Sequence, residues 1–283
     1  MDTLKDLGVK FMADFGAESF RYVLFAGIAF LVLYVLGKKA LVRFKIQQKF
    51  PERKHMFREI KYSILSLSIF ALNGAAILYL HSKGYTRLYT NFNDHSVGYF
   101  IFSVFAFIVA HDTYFYWSHR LLHVKKIYAV VHKLHHLSHD PTPWAAYAFH
   151  PLEAVVQAAI FPIMVFIIPV HPLALFVWGI YQVFLNVMGH SGFEFFPSGF
   201  TSGKISKWHN TSTHHNMHHK YANSNYGLYF NFWDRIMGTN HAEYTEQFEQ
   251  GRARKESMKI ERKASSKEAA ITPPVIKESS LSA

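Results

Sequence analysis

The chain has no cysteine. That excludes disulfides, thiolate zinc sites and a cysteine nucleophile. It is compatible with a reducing compartment without demonstrating one. Acidic residues are also few, 19 Asp and Glu against 30 Lys and Arg, which leaves a formal charge of +11. In a soluble chain such a charge would suggest nucleic acid. No RNA-binding signature is present, however, and no basic face is interleaved with aromatics for stacking, so no nucleic-acid partner is expected. The chain also lacks a nucleotide-binding glycine pattern, a haem-attachment motif and an internal repeat. Any electrons it uses must come from a separate protein.

Long apolar runs are what the chain does have. Half of its 283 residues are hydrophobic, and they are not spread evenly. Residues 22–36, YVLFAGIAFLVLYVL, form the first transmembrane candidate when their flanks are included. Residues 1–21 form a mixed-charge, amphipathic lead-in. A cleaved signal peptide is the competing reading, weakened by the late start and by basic residues that follow the run rather than precede it. Residues 62–80 make a second span, with Gly74, Ala75 and Ala76 permitting close helix packing. Residues 97–117 make a third. Residues 154–170 and 172–188 are two shorter runs separated by His171, and they read as a membrane hairpin whose ends return to one side. A pair of buried soluble helices is the alternative.

The charges set the orientation. Lys38, Lys39, Arg43, Lys45, Lys49, Arg53, Lys54, Arg58 and Lys61 fall between the first two spans, against only Glu52 and Glu59. Such a basic loop stays cytoplasmic, and it suits an anionic membrane surface. Pro51 divides it into two interfacial pieces. The expected fold is therefore all-α: an integral membrane bundle of about three spans plus a hairpin, under a cytoplasmic histidine-rich cap. Residues 1–250 would form this domain, with the histidine boxes within 111–241. Residues 251–283, rich in Lys, Glu, Ser and Ala, read as a disordered polar tail.

Most of the 19 histidines lie between His111 and His219. His119 and His123 form HxxxH. His132, His135 and His136 form HxxHH, as do His215, His218 and His219. Helical residues three or four apart share a face, so each box would aim its imidazoles at one point. With the basic loop inside, all three boxes fall on the cytoplasmic side. Eight imidazoles are too many for one catalytic ion and suit two. His190, just after the hairpin, is a good ninth. Neutral imidazole accepts Zn, Cu, Fe or Ni, so ligand type alone does not choose the metal. A dinuclear nitrogen site beside lipid is best explained by two iron ions with dioxygen as co-substrate.

Other polar residues are candidates for support around these ligands. Asp112 and Glu153 could hold ligand histidines, or serve as a helix-end residue and a helix-capping residue. Arg120 is expected to pair with a carboxylate. His111 lies two turns before His119 and supports or ligates. His150 precedes Pro151 and could cap a helix. His214 points off the face of the third box. Glu194, four residues after His190, could share its face.

HRLLH, HKLHH and HNMHH, with NVMGHSGFEFFP between them, resemble the sterol desaturase and fatty acid hydroxylase superfamily of membrane di-iron oxygenases. HDTYFYWSHRLLH, FHPLEA and HHNMHHKYANSNYGLYFNFWDRIMGT are most similar to its sterol C5-desaturase branch and bacterial-type relatives. The resemblance covers residues 111–239. It implies a four-helix-type membrane portion, metal-ligating roles for His119, His123, His132, His135, His136, His190, His215, His218 and His219, and hydroxylation or desaturation of a lipid C–H bond. It also implies electrons from a b-type cytochrome, or a ferredoxin with its reductase. The family's fatty acid 2-hydroxylases carry a histidine where this chain has Glu194, which argues mildly against that branch. Lipid ether cleavage, or a non-catalytic metal-binding or transport protein, are the rival functions.

Overall fold

Inside a bilayer every backbone N–H and C=O must be satisfied by its own segment, and the apolar runs of this chain do so as helices. The computed structural model describes the backbone of residues 2–271 and the side chains of residues 3–261. Among the described residues there is no strand, only three isolated bridges. Helix α1 (Asp2–Phe30) runs without a break into a π-helical end at Leu31–Leu36. The amphipathic lead-in and the first span are thus one rod, longer than the apolar run alone indicates. It ends at Gly37, whose N–H donates to Val32 O (2.8 Å). Helix α2 (Arg53–Ser82) starts two residues after Pro51. Helix α3 (Val97–Leu122) is capped by Ser96, whose Oγ accepts from Tyr99 N (3.2 Å).

The hairpin comprises α4 (Pro151–Ala158), α5 (Ile160–Ile167) and α6 (Pro172–Gly189). Its first arm breaks at Ala159 because Pro162 has no N–H to offer the carbonyl of Ala158. Asn73 of α2 fills that gap, its Nδ2 donating to Ala158 O (3.1 Å). Among the described residues, four helical stretches are long and apolar enough to cross a membrane: Thr3–Leu36, Arg53–Ser82, Val97–Leu122 and Pro172–Gly189. Their outward faces are apolar. On α3, Ile101, Phe102, Phe105 and Val109 are each more than half exposed, an arrangement suited to lipid rather than water.

Each end of the bundle is tied by a different loop. At one end the 83–96 loop bonds to the hairpin turn: Arg87 N donates to Val165 O (2.9 Å) and Val170 N to Arg87 O (3.2 Å). The hairpin therefore runs the full depth of the bundle. At the other end the basic loop is locked into the histidine-bearing cap. Ile46 N donates to Gly192 O (2.9 Å) and Glu194 N to Phe44 O (2.8 Å). Lys45 is fully buried, with Nζ 3.0 Å from Asp140 Oδ1. Gly192 permits this closure. Its φ is +72°, and a Cβ there would lie 3.0 Å from Tyr34 Oη and 3.3 Å from Lys45 Nζ. The basic loop and the boxes thus share one end of the molecule.

Beyond the third box, helix α7 (Ser212–Tyr221) leads by way of residues 222–243 to α8 (Tyr244–Ile271). Disorder beginning at Gly251 is corrected here, for α8 continues through that position. Arg252 Nη2 donates to Glu194 O (2.6 Å) and Nη1 to Phe196 O (2.8 Å), while Arg254 Nη2 donates to Lys45 O (2.9 Å). A polar composition hides these contacts because they run to backbone carbonyls. Residues 272–283 of the expected tail lie outside the described residues.

Candidate metal centre

Four segments deliver the histidines. Helix α3 carries His119 in its last turn, and His123 is its C-cap. The second box straddles a π-helical turn (Tyr128–His132) and a short α-helix (Lys133–His136). His190 is the C-cap of α6. The third box lies on α7, which is capped by Thr211, whose Oγ1 accepts from His214 N (3.2 Å).

These nine side chains form two groups. His119, His123, His132, His136 and His218 make one; His135, His190, His215 and His219 make the other. Within each group the ligand atoms lie within 4.8 Å of one another, and each group could hold a metal ion. This corrects the expectation that each box aims at a single point. Each HxxHH box is divided. Its i and i+4 histidines face one group and its i+3 histidine faces the other, in opposite senses for the two boxes. The two groups are adjacent: the rings of His136 and His219 have centroids 5.1 Å apart, and those of His132 and His135 5.4 Å.

The outer ring nitrogens fix the inner ones. His119 Nδ1 donates to Tyr226 O (2.8 Å), His190 Nδ1 to Asn186 O (2.8 Å), His218 Nδ1 to Ser224 O (2.7 Å) and His135 Nδ1 to Ala148 O (3.3 Å). A carbonyl only accepts, so these rings carry their proton on Nδ1 and present a bare Nε2 lone pair inward. His132 Nδ1 lies 2.7 Å from Glu153 Oε1, both side chains being buried. Burial holds the cap histidines neutral. It lowers His136 to about 3 and His190 to about 4, and it pushes His132, His135, His215, His218 and His219 well below the ordinary value, helped by their imidazole neighbours.

The facing nitrogens test whether a metal fits. His190 Nε2 lies 3.4 Å from His135 Nε2 and 2.9 Å from His215 Nε2. His132 Nε2 is 3.1 Å from both His119 Nε2 and His136 Nε2. His135 and His190 both present lone pairs, with no proton to share, an arrangement that a cation between them relieves. Imidazole nitrogens about 2.1 Å from one ion stand about 3.0 Å apart at right angles and about 3.4 Å apart tetrahedrally. The observed spacings match that range.

The supporting residues divide differently from the sequence expectation. Glu153 reaches a box histidine. Asp112 does not: its Oδ1 accepts from Tyr229 N (2.7 Å) and Phe230 N (3.3 Å), which holds the loop that carries Tyr226. Arg120 meets no carboxylate among the described residues; it donates to Tyr116 Oη (3.3 Å) and lies over the Trp117 ring. Glu194 lies outside both groups. Its Oε2 accepts from Thr213 N (2.9 Å) and Thr213 Oγ1 (2.8 Å), which fixes the first turn of α7. His150 caps α4, accepting from Leu152 N at Nδ1 (3.3 Å). His111 Nδ1 is 2.8 Å from Tyr229 Oη. His214 is buried, with Nε2 3.6 Å from Asp234 Oδ2.

Residues without a metal-ligating pattern also matter. Asp234 accepts from Tyr226 N (2.9 Å) and Gly227 N (2.8 Å), so it aims the Tyr226 carbonyl that orients His119. Phe149 lays its ring against His135, with centroids 5.1 Å apart. No spacing rule marks either residue, since both act through loop backbone or ring contact.

The chain is similar to known proteins over the region that carries these histidines. The family profile of fatty acid hydroxylases matches residues 104–239, which contain both histidine groups. The lathosterol oxidase of Homo sapiens is 31% identical over 222 residues, covering 77% of this chain and 71% of that protein. A Delta(7)-sterol 5(6)-desaturase of Gibberella zeae is 30% identical over 235 residues, covering 83% and 68%. No solved structure matches.

Proposed function

This chain belongs to the sterol desaturase and fatty acid hydroxylase superfamily, and on that premise we propose that it is a membrane oxidoreductase that hydroxylates or desaturates a lipid C–H bond. The observation that carries this reading is the pair of adjacent histidine groups whose inner nitrogens stand at metal-ligand spacing. Two iron ions held there would supply the dioxygen chemistry that an unactivated C–H bond requires.

The protein's part is positional. His119, His123, His132, His136 and His218 are the ligands assigned to one ion, and His135, His190, His215 and His219 to the other. The carbonyls of Tyr226, Asn186, Ser224 and Ala148 keep the outer nitrogens protonated and the inner ones free. Glu153 sets a carboxyl oxygen 2.7 Å from His132 Nδ1, which orients that ring. Phe149 closes the His135 side against water. The lipid enters from the membrane, between the spans.

Electrons come from a separate donor, a b-type cytochrome or a ferredoxin with its reductase, because this chain has no nucleotide or haem motif. The side that donor reaches is cytoplasmic, since the basic 38–61 loop packs on the histidine cap. Residues 1–250 carry the activity as one domain, together with the part of α8 that Arg252 and Arg254 tie to it. The test is to purify the protein, measure its iron content, and look by mass spectrometry for a lipid product formed only with oxygen and reductant. A fully folded protein that takes up no redox-active metal and yields no such product overturns the reading.

A further inference from the structure

A cavity of about 460 Å³ lies in the cap between the basic loop, α7 and α8. Helix α7 gives His215, His218 and His219 to the metal groups, while Thr213, Asn216 and Lys220 line this cavity. Residues 44–47 of the basic loop form a second wall, and Gln247, Gly251, Arg252 and Arg254 of α8 a third. Asn216, Gly251 and Arg254 have no part in the metal centre.

The walls present buried donors that lack acceptors. Asn216 is 2% exposed, and its Oδ1 accepts from Gln47 Nε2 (3.1 Å). Its Nδ2 is buried and has no partner among the described residues. Arg252 is 5% exposed, and its Nε and that of Arg254 are buried without an acceptor in the same way. The terminal nitrogens of both arginines go to backbone carbonyls, Arg252 to Glu194 and Phe196, Arg254 to Lys45 and Ile46. A carbonyl has no net charge, so neither guanidinium is neutralised by these bonds. The carboxylates on the walls are bonded to other groups. Glu194 accepts from Phe196 N and Thr213, Glu243 from Gln247 Nε2 (2.8 Å), and Glu246 from Gln250 Nε2 (3.0 Å).

Buried charge without a counter-charge is costly. Water would satisfy single N–H groups but leave both charges unanswered. A metal cation would meet donors where it needs lone pairs. An apolar group would leave every donor unpaired. An oxyanion accepts from all of them through charge-assisted bonds. Gly251 leaves room for it, since a Cβ there would meet no atom within 4 Å. We propose that this cavity binds a phosphate group on Asn216, Arg252 and Arg254. The bound group joins the basic loop, α7 and α8, and so supports the helix of the third box from its outer side. The cavity lies at the membrane end that carries the basic loop, within reach of a lipid headgroup phosphate and of a soluble one.

The test measures binding, so it does not depend on turnover. The full metal-loaded chain in phosphatidylcholine nanodiscs is equilibrated with radiolabelled inorganic phosphate, the ionic strength being held constant with chloride. Saturable binding is expected. Gly251→Glu places a carboxylate in the open space and should weaken it at least about tenfold, as should Asn216→Leu and Arg254→Met, which each remove a donor. Gly251→Ala should bind as the wild type does. Replacing part of the phosphatidylcholine with phosphatidic acid then identifies the source. Displacement of the label assigns the site to a lipid headgroup, and undiminished binding assigns it to a soluble phosphate. Absence of saturable binding, or binding by a folded Gly251→Glu protein equal to that of the wild type, overturns the proposal.

Discussion

Glu153 is the residue through which the two histidine groups can be told apart. Its Oε1 lies 2.7 Å from His132 Nδ1, and both side chains are about 1% exposed. His132 in turn stands 3.1 Å from both His119 and His136 in one group, while among the described residues the other group has no contact of this kind with a carboxylate. Loss of a carboxylate behind a ligand histidine costs about 10–100-fold in metal affinity, or about 1.4–2.7 kcal/mol. Glu153→Gln keeps the shape and an oxygen acceptor, so about tenfold is expected. Glu153→Leu removes the acceptor, and about a hundredfold is expected. The assay is metal content per chain after dialysis against graded chelator. The variants should release one equivalent early and keep the second at the wild-type chelator concentration. Parallel loss of both equivalents, or wild-type retention in Glu153→Leu, would refute the argument that Glu153 serves one group alone.

Other substitutions follow the same logic. His135→Ala should abolish lipid oxidation while leaving membrane insertion intact, as measured by product analysis and membrane fractionation. Arg252→Ala removes charge-assisted bonds to the carbonyls of Glu194 and Phe196. It should cost about 1.5–3 kcal/mol, seen as a lower thermal midpoint in detergent, whereas an unchanged midpoint would indicate a tail that contributes nothing. Lys45→Met leaves Asp140 buried without its partner and should cost about 3–5 kcal/mol. Asp140→Asn in the same chain should recover part of that in the same melt.

The histidine boxes were legible because metal chemistry imposes a helical spacing, and i, i+3, i+4 is visible in any alphabet of residues. Their division between two groups was not. Spacing tells which side chains leave one helix together, but not which neighbouring helix meets each of them. The spans were legible as apolar runs, although α1 begins at Asp2, about five and a half turns before the apolar run, and carries Asp14, Glu18 and Arg21 on that stretch. Those residues read as part of an amphipathic lead-in until Gly74 and Gly179 are seen to make room for Asp14 and Arg21. Asp112 and Glu153 looked equivalent as carboxylates near boxes. Only the fold shows that one holds loop amides and the other a ring nitrogen. Order beyond Gly251 was hidden for a similar reason, since Arg252 bonds to backbone, which leaves no complementary residue in the sequence.

The central claim is that the nine histidines hold metal for oxygen-dependent oxidation of a lipid. Comparative lipid mass spectrometry tests it most directly, on membranes from cells expressing the wild-type chain or His135→Ala, each grown with and without oxygen. The account predicts a lipid one oxygen heavier or two hydrogens lighter than its precursor, present only with the wild-type chain in air. The same lipid profile in all four membranes, with the wild-type protein present and metal-loaded, would contradict it.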